Sequence, residues 1–303
     1  MDILITGVTG LVGRYLAGHL LAAGHRIIGI GSRQTPPALD DANFTYIAAD
    51  TTRQGDWQES LNQVDAVVNL AGRTIFRRWT RRYKQSIRDS RLLTTANLVA
   101  ALPRERQVTM VSTSAVGYYG SRGDDLLTEN ATPGDDFLAQ LAQDWEAEAL
   151  DAQHLGHRVV IARFGVVLGR GGGALGQMVP AFRSFLGGPL GSGAQWFPWI
   201  HIQDLAAAVE FVLSHQQMAG PFNFCAPQPI QNRDLARSLG RVLNRPAVLP
   251  APALMVRLAL GEFGGVLLAS QRAVPEQLLQ QGFRFEFPEI EGALRQLLKT
   301  EDG

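Results

Sequence analysis

An α/β fold with a doubly wound parallel sheet and a smaller C-terminal α+β lobe is predicted by three features of this sequence. Short β-branched runs alternate with helical stretches over the first two-thirds, a GxxGxxG glycine series stands between the first strand and the first helix, and the texture turns glycine-rich after residue 168. Strands of a parallel sheet are covered by helices on both faces, so they read as near-continuous apolar runs. Such runs are Asp2–Thr6, Arg26–Ile30, Thr45–Ala48, Ala66–Leu70, Val108–Ser112 and Arg158–Arg163. Between them, Leu11 to Ala23 has helical periodicity and stops at Gly24, while Thr80 to Leu102 reads as a long helix ended by Pro103.

From Gly169 onward the chain runs through Gly171-Gly172-Gly173 and then Gly187-Gly188-Pro189-Leu190-Gly191-Ser192-Gly193, loop signals that suit the start of a second lobe. A helix at Gln203–Ser214, a short strand at Phe222–Phe224 and an apolar run from Pro250 to Leu298 are expected inside it. The expected division is therefore 1–168 for the sheet domain and 169–303 for the lobe, with no linker or repeat between them.

Composition narrows the function. The 28 basic and 28 acidic residues cancel, so no net field draws the chain to nucleic acid or an anionic membrane, and the expected partner is a small molecule. One cysteine, Cys225, excludes an internal disulfide, and six scattered histidines lack metal-ligand spacing, so no metal is expected. The first residues form a strand-like run without a basic leader, no apolar run approaches the ~18 residues of a membrane span, and a cytoplasmic location is expected. Lysine occurs only at Lys84 and Lys299.

The glycine series carries the first functional signal. Thr6-Gly7-Val8-Thr9-Gly10-Leu11-Val12-Gly13 follows the first strand directly and opens a helix. Its glycines permit a tight turn, backbone approach to a pyrophosphate, and close strand–helix packing, so that the helix N-terminus faces negative charge. This is the Rossmann-type dinucleotide fingerprint, with Thr9, Leu11 and Val12 beside the glycines. The second strand then ends in Gly31-Ser32-Arg33, where an NAD site would place a carboxylate on the ribose. Ser32 and Arg33 suit a 2′-phosphate instead, and the expected cofactor is NADP (NADPH/NADP+). Asp50 is placed to approach the adenine or to cap a turn, and Leu70-Ala71-Gly72 closes the fourth strand, where small residues admit the cofactor backbone.

Together with Ser112-Thr113-Ser114, these residues resemble the extended short-chain dehydrogenase/reductases, within the NAD(P)-dependent epimerase/dehydratase superfamily. Trp79, Ser90-Arg91, the run from Arg163 to Gly173, the run from Gly187 to Gly193, and Trp199-Ile200-His201-Ile202-Gln203-Asp204 are similar to its atypical YfcH-like "epimerase family protein" subgroup. The C-terminal segment of that subgroup, a domain of unknown function, is matched at about 248–296 by Gly261-Glu262, Gln271-Arg272-Ala273-Val274-Pro275 and Gly282-Phe283-Arg284-Phe285. The resemblance implies a nucleotide-bound fold with Ser32, Arg33, Leu70, Ala71, Arg91 and Val167 at positions that look like NADP contacts. Arg73 stands where the subgroup commonly has an acid.

The usual enzyme of this superfamily works with a Tyr-x-x-x-Lys pair. The tyrosines here are Tyr15, Tyr46, Tyr83, Tyr118 and Tyr119, none followed four residues later by lysine, and the stretch Phe137 to Glu146 contains neither residue type. The remaining proton-transfer candidates are Ser114 and Tyr118, with a strand cap and nicotinamide packing as their structural alternatives. Arg163, at the end of the sixth strand, is a candidate for an anionic substrate or half of a buried ion pair. Trp199 could wall a substrate or fill core, and His201 could face the cleft or cap a helix. Two readings follow: an NADP(H)-dependent oxidoreductase or epimerase-like enzyme on a small metabolite, and a non-catalytic NADP(H)-binding regulator. The apolar run Leu254 to Leu268 suits packing or the contact of a homodimer.

Overall fold

The computed structural model describes residues 1–298; Lys299 and the end of the predicted lobe lie outside them. In chain order the first half comprises β1 (Asp2–Thr6), α1 (Leu11–Ala22), β2 (Arg26–Gly31), β3 (Phe44–Ala48), β4 (Ala66–Asn69), α2 (Arg81–Ala100), β5 (Thr109–Ala115), β6 (Leu126–Leu127) and α3 (Phe137–His154). There follow β7 (Arg158–Phe164), β8 (Val166–Leu168), α4 (Gly173–Arg183), β9 (Trp196–Phe197), β10 (Trp199–His201), α5 (Ile202–Ser214) and β11 (Gly220–Phe224). The chain closes with β12 (Ile230–Gln231), α6 (Asn232–Leu243), α7 (Ala253–Leu260), α8 (Glu262–Leu267), β13 (Arg272–Ala273), α9 (Glu276–Gln280) and α10 (Ile290–Leu298).

Seven strands form one parallel sheet in the order β11-β7-β5-β4-β1-β2-β3. The direction of winding reverses between β1 and β4, the switch point at which ligands bind in open α/β sheets. The predicted Rossmann-type architecture is thus observed. α1 and α5 pack one face of the sheet through Leu16, Leu20, Leu205 and Val209. The other face is closed by α2, α3 and a 3-10 stretch at Asp56–Gln63, through Leu98, Ala149 and Trp57.

The expected boundary at residue 168 needs correction. β11 is the outermost strand of the main sheet, paired with β7 from Gly220↔Val160 to Phe224↔Phe164, and α5 lies on the sheet face. The lobe thus comprises residues 169–201 and those after β11, with the returning helix and strand belonging to the sheet domain. Phe222 and Phe224, two residues apart and so on one face of the strand, are buried in the main core beside α9 and the Phe283 loop, while the buried Asn223 between them turns to Tyr119 and Glu129. Among the described residues, no helix is long and apolar enough to cross a membrane.

Candidate active site

The loop between β1 and α1 has the geometry of an anion site. Gly7 has φ +71°, and a Cβ there would stand 3.0 Å from the Leu70 carbonyl carbon and oxygen. A Cβ on Gly13 would meet the Gly7 carbonyl oxygen at 2.4 Å, so two glycines are required on steric grounds and the third, Gly10, is close behind at 3.2 Å from the same oxygen. Helix α1 starts without a side-chain cap and without an acidic residue in its first turn. Its first i→i−4 bond runs from Arg14 N to Gly10 O at 3.0 Å, which leaves the amides of Leu11, Val12 and Gly13 as the donors ahead of it. The positive end of the helix dipole therefore faces the cleft without a resident counter-charge.

The opposite wall is tied to this loop by Thr6. Its Oγ1 accepts from the Leu70 and Ala71 amides, 3.2 Å each, and donates to Asn69 Oδ1 at 2.8 Å. Asn69 Nδ2 continues to Thr95 Oγ1 on α2, which also accepts from Trp145 Nε1 on α3, each at 2.9 Å. All four of Thr6, Asn69, Thr95 and Trp145 are buried, so the ends of β1 and β4 cannot drift apart without breaking a satisfied polar chain. Sequence reasoning did not single out this support; polar residues at the last position of an apolar strand are its only local signal.

At the end of β2, a Cβ on Gly31 would stand 2.8 Å from Thr9 Cγ2, so this turn also packs against the glycine loop. Ser32 and Arg33 are exposed beyond it, and the Tyr46 hydroxyl lies 3.1 Å from the Gly31 carbonyl oxygen and 2.5 Å from that of Arg33. Arg33 forms no ion pair among the described residues. The Asp50 carboxylate is taken up locally: Oδ1 accepts from the Thr52 hydroxyl at 2.7 Å and the Thr52 amide at 3.1 Å, the turn-capping alternative.

Arg91 on α2 reaches the same cleft. Its guanidinium lies 3.0 Å from where a Cβ on Gly72 would be, and Nη1 donates to the carbonyls of Arg73 and Ile87 at 3.1 Å. The guanidinium also stands 5.2 Å over the Trp145 ring. No carboxylate pairs with it among the described residues, and burial pulls its pKa down to about 10. A cation held out of water without a counter-ion favours an arriving anion. Val167, the remaining expected contact, sits half-buried in β8 between the main core and the lobe.

Around the end of β5 the structure builds a polar cluster. Ser114 Oγ donates to Glu146 Oε1 on α3 at 2.6 Å, and Arg163 on β7 grips the same carboxylate through Nε–Oε1 at 2.9 Å and Nη2–Oε2 at 2.8 Å. Arg163 Nη1 donates to the Tyr119 hydroxyl at 3.0 Å, and that hydroxyl donates to Asn223 Oδ1 at 2.7 Å. The half-buried Tyr118 ring lies 3.6 Å from the Arg163 guanidinium carbon. Ser112 Oγ and Thr113 Oγ1 are buried without a hydrogen-bond partner among the described residues. Burial works against the Arg163 charge, but Glu146 more than offsets it and the guanidinium is held firmly protonated. Burial raises the Tyr119 phenol to about 12.

Three expected substrate contacts are corrected here. Arg163 is committed on every nitrogen to Glu146, Tyr119 and the Glu129 carbonyl, so it is the buried ion pair and offers no free fork to an anion. Trp199 is 1% exposed and fills the core of the lobe. His201 caps α5 by accepting from Gln203 N at 3.1 Å, meets Gln296 at 3.1 Å and stacks on Phe287; burial lowers its pKa to about 4. It lines a cavity of about 490 Å³ on the outer side of α1, together with Arg14 and Gln296. Glu146 is the residue that sequence reasoning missed. Its signal was a carboxylate on the stripe Ala139, Ala142, Glu146, Ala149, otherwise alanine and turned to the core.

Lys84, two turns before Arg91 on α2, pairs with Glu262 at 2.7 Å, lies over the Phe137 ring and makes no hydrogen bond to the cluster. α3 contributes Glu146 to this cluster and, over Phe137–His154, contains neither tyrosine nor lysine.

The comparisons agree with the fold. The model of the NAD dependent epimerase/dehydratase family matches residues 3–225, and that of a domain of unknown function (DUF1731) matches residues 251–297. Epimerase family protein ML0860 of Mycobacterium leprae is 40% identical, over 96% of this chain and 94% of its own length. The crystal structure of human epimerase family protein SDR39U1 (isoform 2) with NADPH superposes with a TM-score of 0.85 at 35% identity, over 98% of this chain and 99% of that one. A nucleoside-diphosphate sugar epimerase from Corynebacterium glutamicum superposes with a TM-score of 0.79 at 33% identity, over 98% of this chain and 58% of that one.

Proposed function

The chain belongs to the NAD dependent epimerase/dehydratase family, and from that premise we propose that it is an NADP(H)-dependent oxidoreductase or epimerase-like enzyme acting on a small carbonyl or alcohol. The observation that carries the cofactor choice is a pairing. An uncapped α1 N-terminus stands beside a β2 end that offers Ser32 and Arg33 and no carboxylate. A 2′-phosphate suits that end, and the NADPH recorded with the human relative supports the same reading. Gly7, Gly10 and Gly13 would admit the pyrophosphate, with Thr9, Leu11 and Val12 lining it. Leu70, Ala71, Gly72 and Val167 would flank the nicotinamide half, and Arg91 would face the phosphates.

NADPH, when bound, supplies the hydride. The carbonyl oxygen then needs a proton as its π pair collapses onto it. Ser114 cannot be the donor while its hydrogen is spent on Glu146, so its lone pairs are left to accept from the substrate or orient it. Tyr118 is the proton donor in this reading. Arg163 holds its ring from one side, and half-exposure lets water return the proton. One fact favours a second reading, a non-catalytic NADP(H)-binding regulator: α3 carries neither tyrosine nor lysine.

The test is calorimetric titration with NADPH and with NADH, on the wild-type protein and on Arg33→Ala. An NADPH preference that Arg33→Ala removes supports the 2′-phosphate site; equal affinity for both cofactors in the wild type overturns it. Hydride exchange across a panel of carbonyl compounds then separates enzyme from regulator.

A further inference from the structure

A cavity of about 530 Å³ lies between the sheet domain and the lobe. Val166, just after β7, and the segment Ile75–Arg78, which follows the end of β4, both line it. Two of its lining segments thus follow strands of the main sheet that end at the candidate site, and its volume is within the ~300–1,000 Å³ of small-molecule sites. Its walls are mainly aliphatic and aromatic, formed by side chains such as Met178, Phe182, Phe197 and Phe263, and among the described residues no carboxylate, lysine or histidine lines it. Two of its few neutral polar side chains are already engaged. Asn232 Oδ1 accepts from Leu190 N at 2.8 Å, and Gln195 Nε2 donates to Leu190 O at 3.1 Å. Among the described residues the charged lining groups are Arg77 and Arg78, both exposed and neither ion-paired. The apolar wall continues to the surface at Leu186, 66% exposed, and Leu249, 50% exposed.

We infer that this cavity takes an extended apolar carbonyl compound bearing a carboxylate, its hydrocarbon body along the cavity and its anion on Arg77 and Arg78, rather than a nucleotide sugar. This inference rests on the proposed reading of the neighbouring site as a hydride-transfer centre. Arg77 and Arg78 suit a pyrophosphate as well as a carboxylate, so the discrimination lies in the sugar, whose hydroxyls would meet walls with few free polar side chains, at a cost of roughly 1–3 kcal/mol for each neutral group left unpaired. A hydrocarbon body gains from the same burial.

Decanoate, 1-decanol and UDP-glucose are the probes, each titrated calorimetrically with and without saturating NADPH. Decanoate is expected to bind once per chain, at least tenfold tighter than UDP-glucose. Ala181→Trp places an indole at an exposed position of the cavity wall and should weaken decanoate at least tenfold while the NADPH affinity and the melting temperature stay unchanged. The R77A/R78A double variant should weaken decanoate to the level of 1-decanol and leave 1-decanol itself unmoved. Tighter binding of UDP-glucose, or decanoate binding that survives Ala181→Trp, overturns the inference. NADPH is titrated separately, so failure of the cofactor reading appears in that arm and leaves the decanoate result interpretable.

Discussion

Glu146 on α3 and Arg163 on β7 close a two-pronged ion pair with side chains only 8% and 4% exposed, and Ser114 adds a third hydrogen bond to the carboxylate. The pair joins the helix and the strand that flank the end of β5, where the chemistry is proposed. Glu146→Gln should destabilise the protein by about 3–5 kcal/mol, because a buried guanidinium is then left without its charge partner. Chemical denaturation checks this. A loss no larger than that of a surface substitution would mean that the guanidinium finds solvent or another partner.

Gly13→Ala tests the phosphate loop. The added methyl would sit 2.4 Å from the Gly7 carbonyl oxygen, a contact that only backbone movement can relieve. NADPH affinity should fall at least tenfold, with a stability loss of about 1–3 kcal/mol from overpacking. Gly24→Ala serves as control. That glycine has φ +84° but no atom within 4 Å of a Cβ, so the substitution costs backbone strain without touching the loop.

Tyr118→Phe and Ser114→Ala separate the two candidate roles on whichever carbonyl substrate is turned over. Loss of the phenol should lower kcat by about 100-fold or more, in line with removal of a general acid. Ser114→Ala should change KM more than kcat, since its proton is directed at Glu146. Steady-state kinetics decide, and a Tyr118→Phe variant at full kcat removes the phenol from the mechanism.

His201 sets a pH dependence of stability. Burial lowers its pKa from 6.5 to about 4, so between those values the unfolded chain takes up a proton that the folded chain refuses. Unfolding free energy therefore rises with pH across this window, and acid removes up to about 3 kcal/mol at the lower end. His201→Asn keeps a side-chain oxygen for the α5 cap but does not titrate. Denaturation curves at pH 7 and pH 4.5 should show a smaller acid loss for the variant than for the wild type. An equal loss would assign the acid sensitivity to other groups.

The parts of the site that could be read from the sequence are those made by neighbours in the chain. The glycine loop is forced by contacts among residues 7 to 13 and the adjoining strand end, and β1, β2, β4 and β7 appear within a residue or so of their apolar runs. The absence of a Tyr-x-x-x-Lys pair followed from counting alone. The alternatives left open at Arg163, Trp199 and His201 could not be resolved in that way. Each depended on a partner that the fold delivers from elsewhere.

By itself, then, the sequence determined the order of strands and helices, the uncapped glycine turn, and a β2 end without a carboxylate, because these depend on backbone sterics and short-range periodicity. Only the tertiary structure decided that β11 joins the main sheet, that Arg163 meets Glu146 across 17 residues, and that His201 meets Gln296 across 95. Those outcomes turn on desolvation. A charged or polar group buried in a low-dielectric interior takes whichever partner the packing brings within reach, and no local pattern records which one that is.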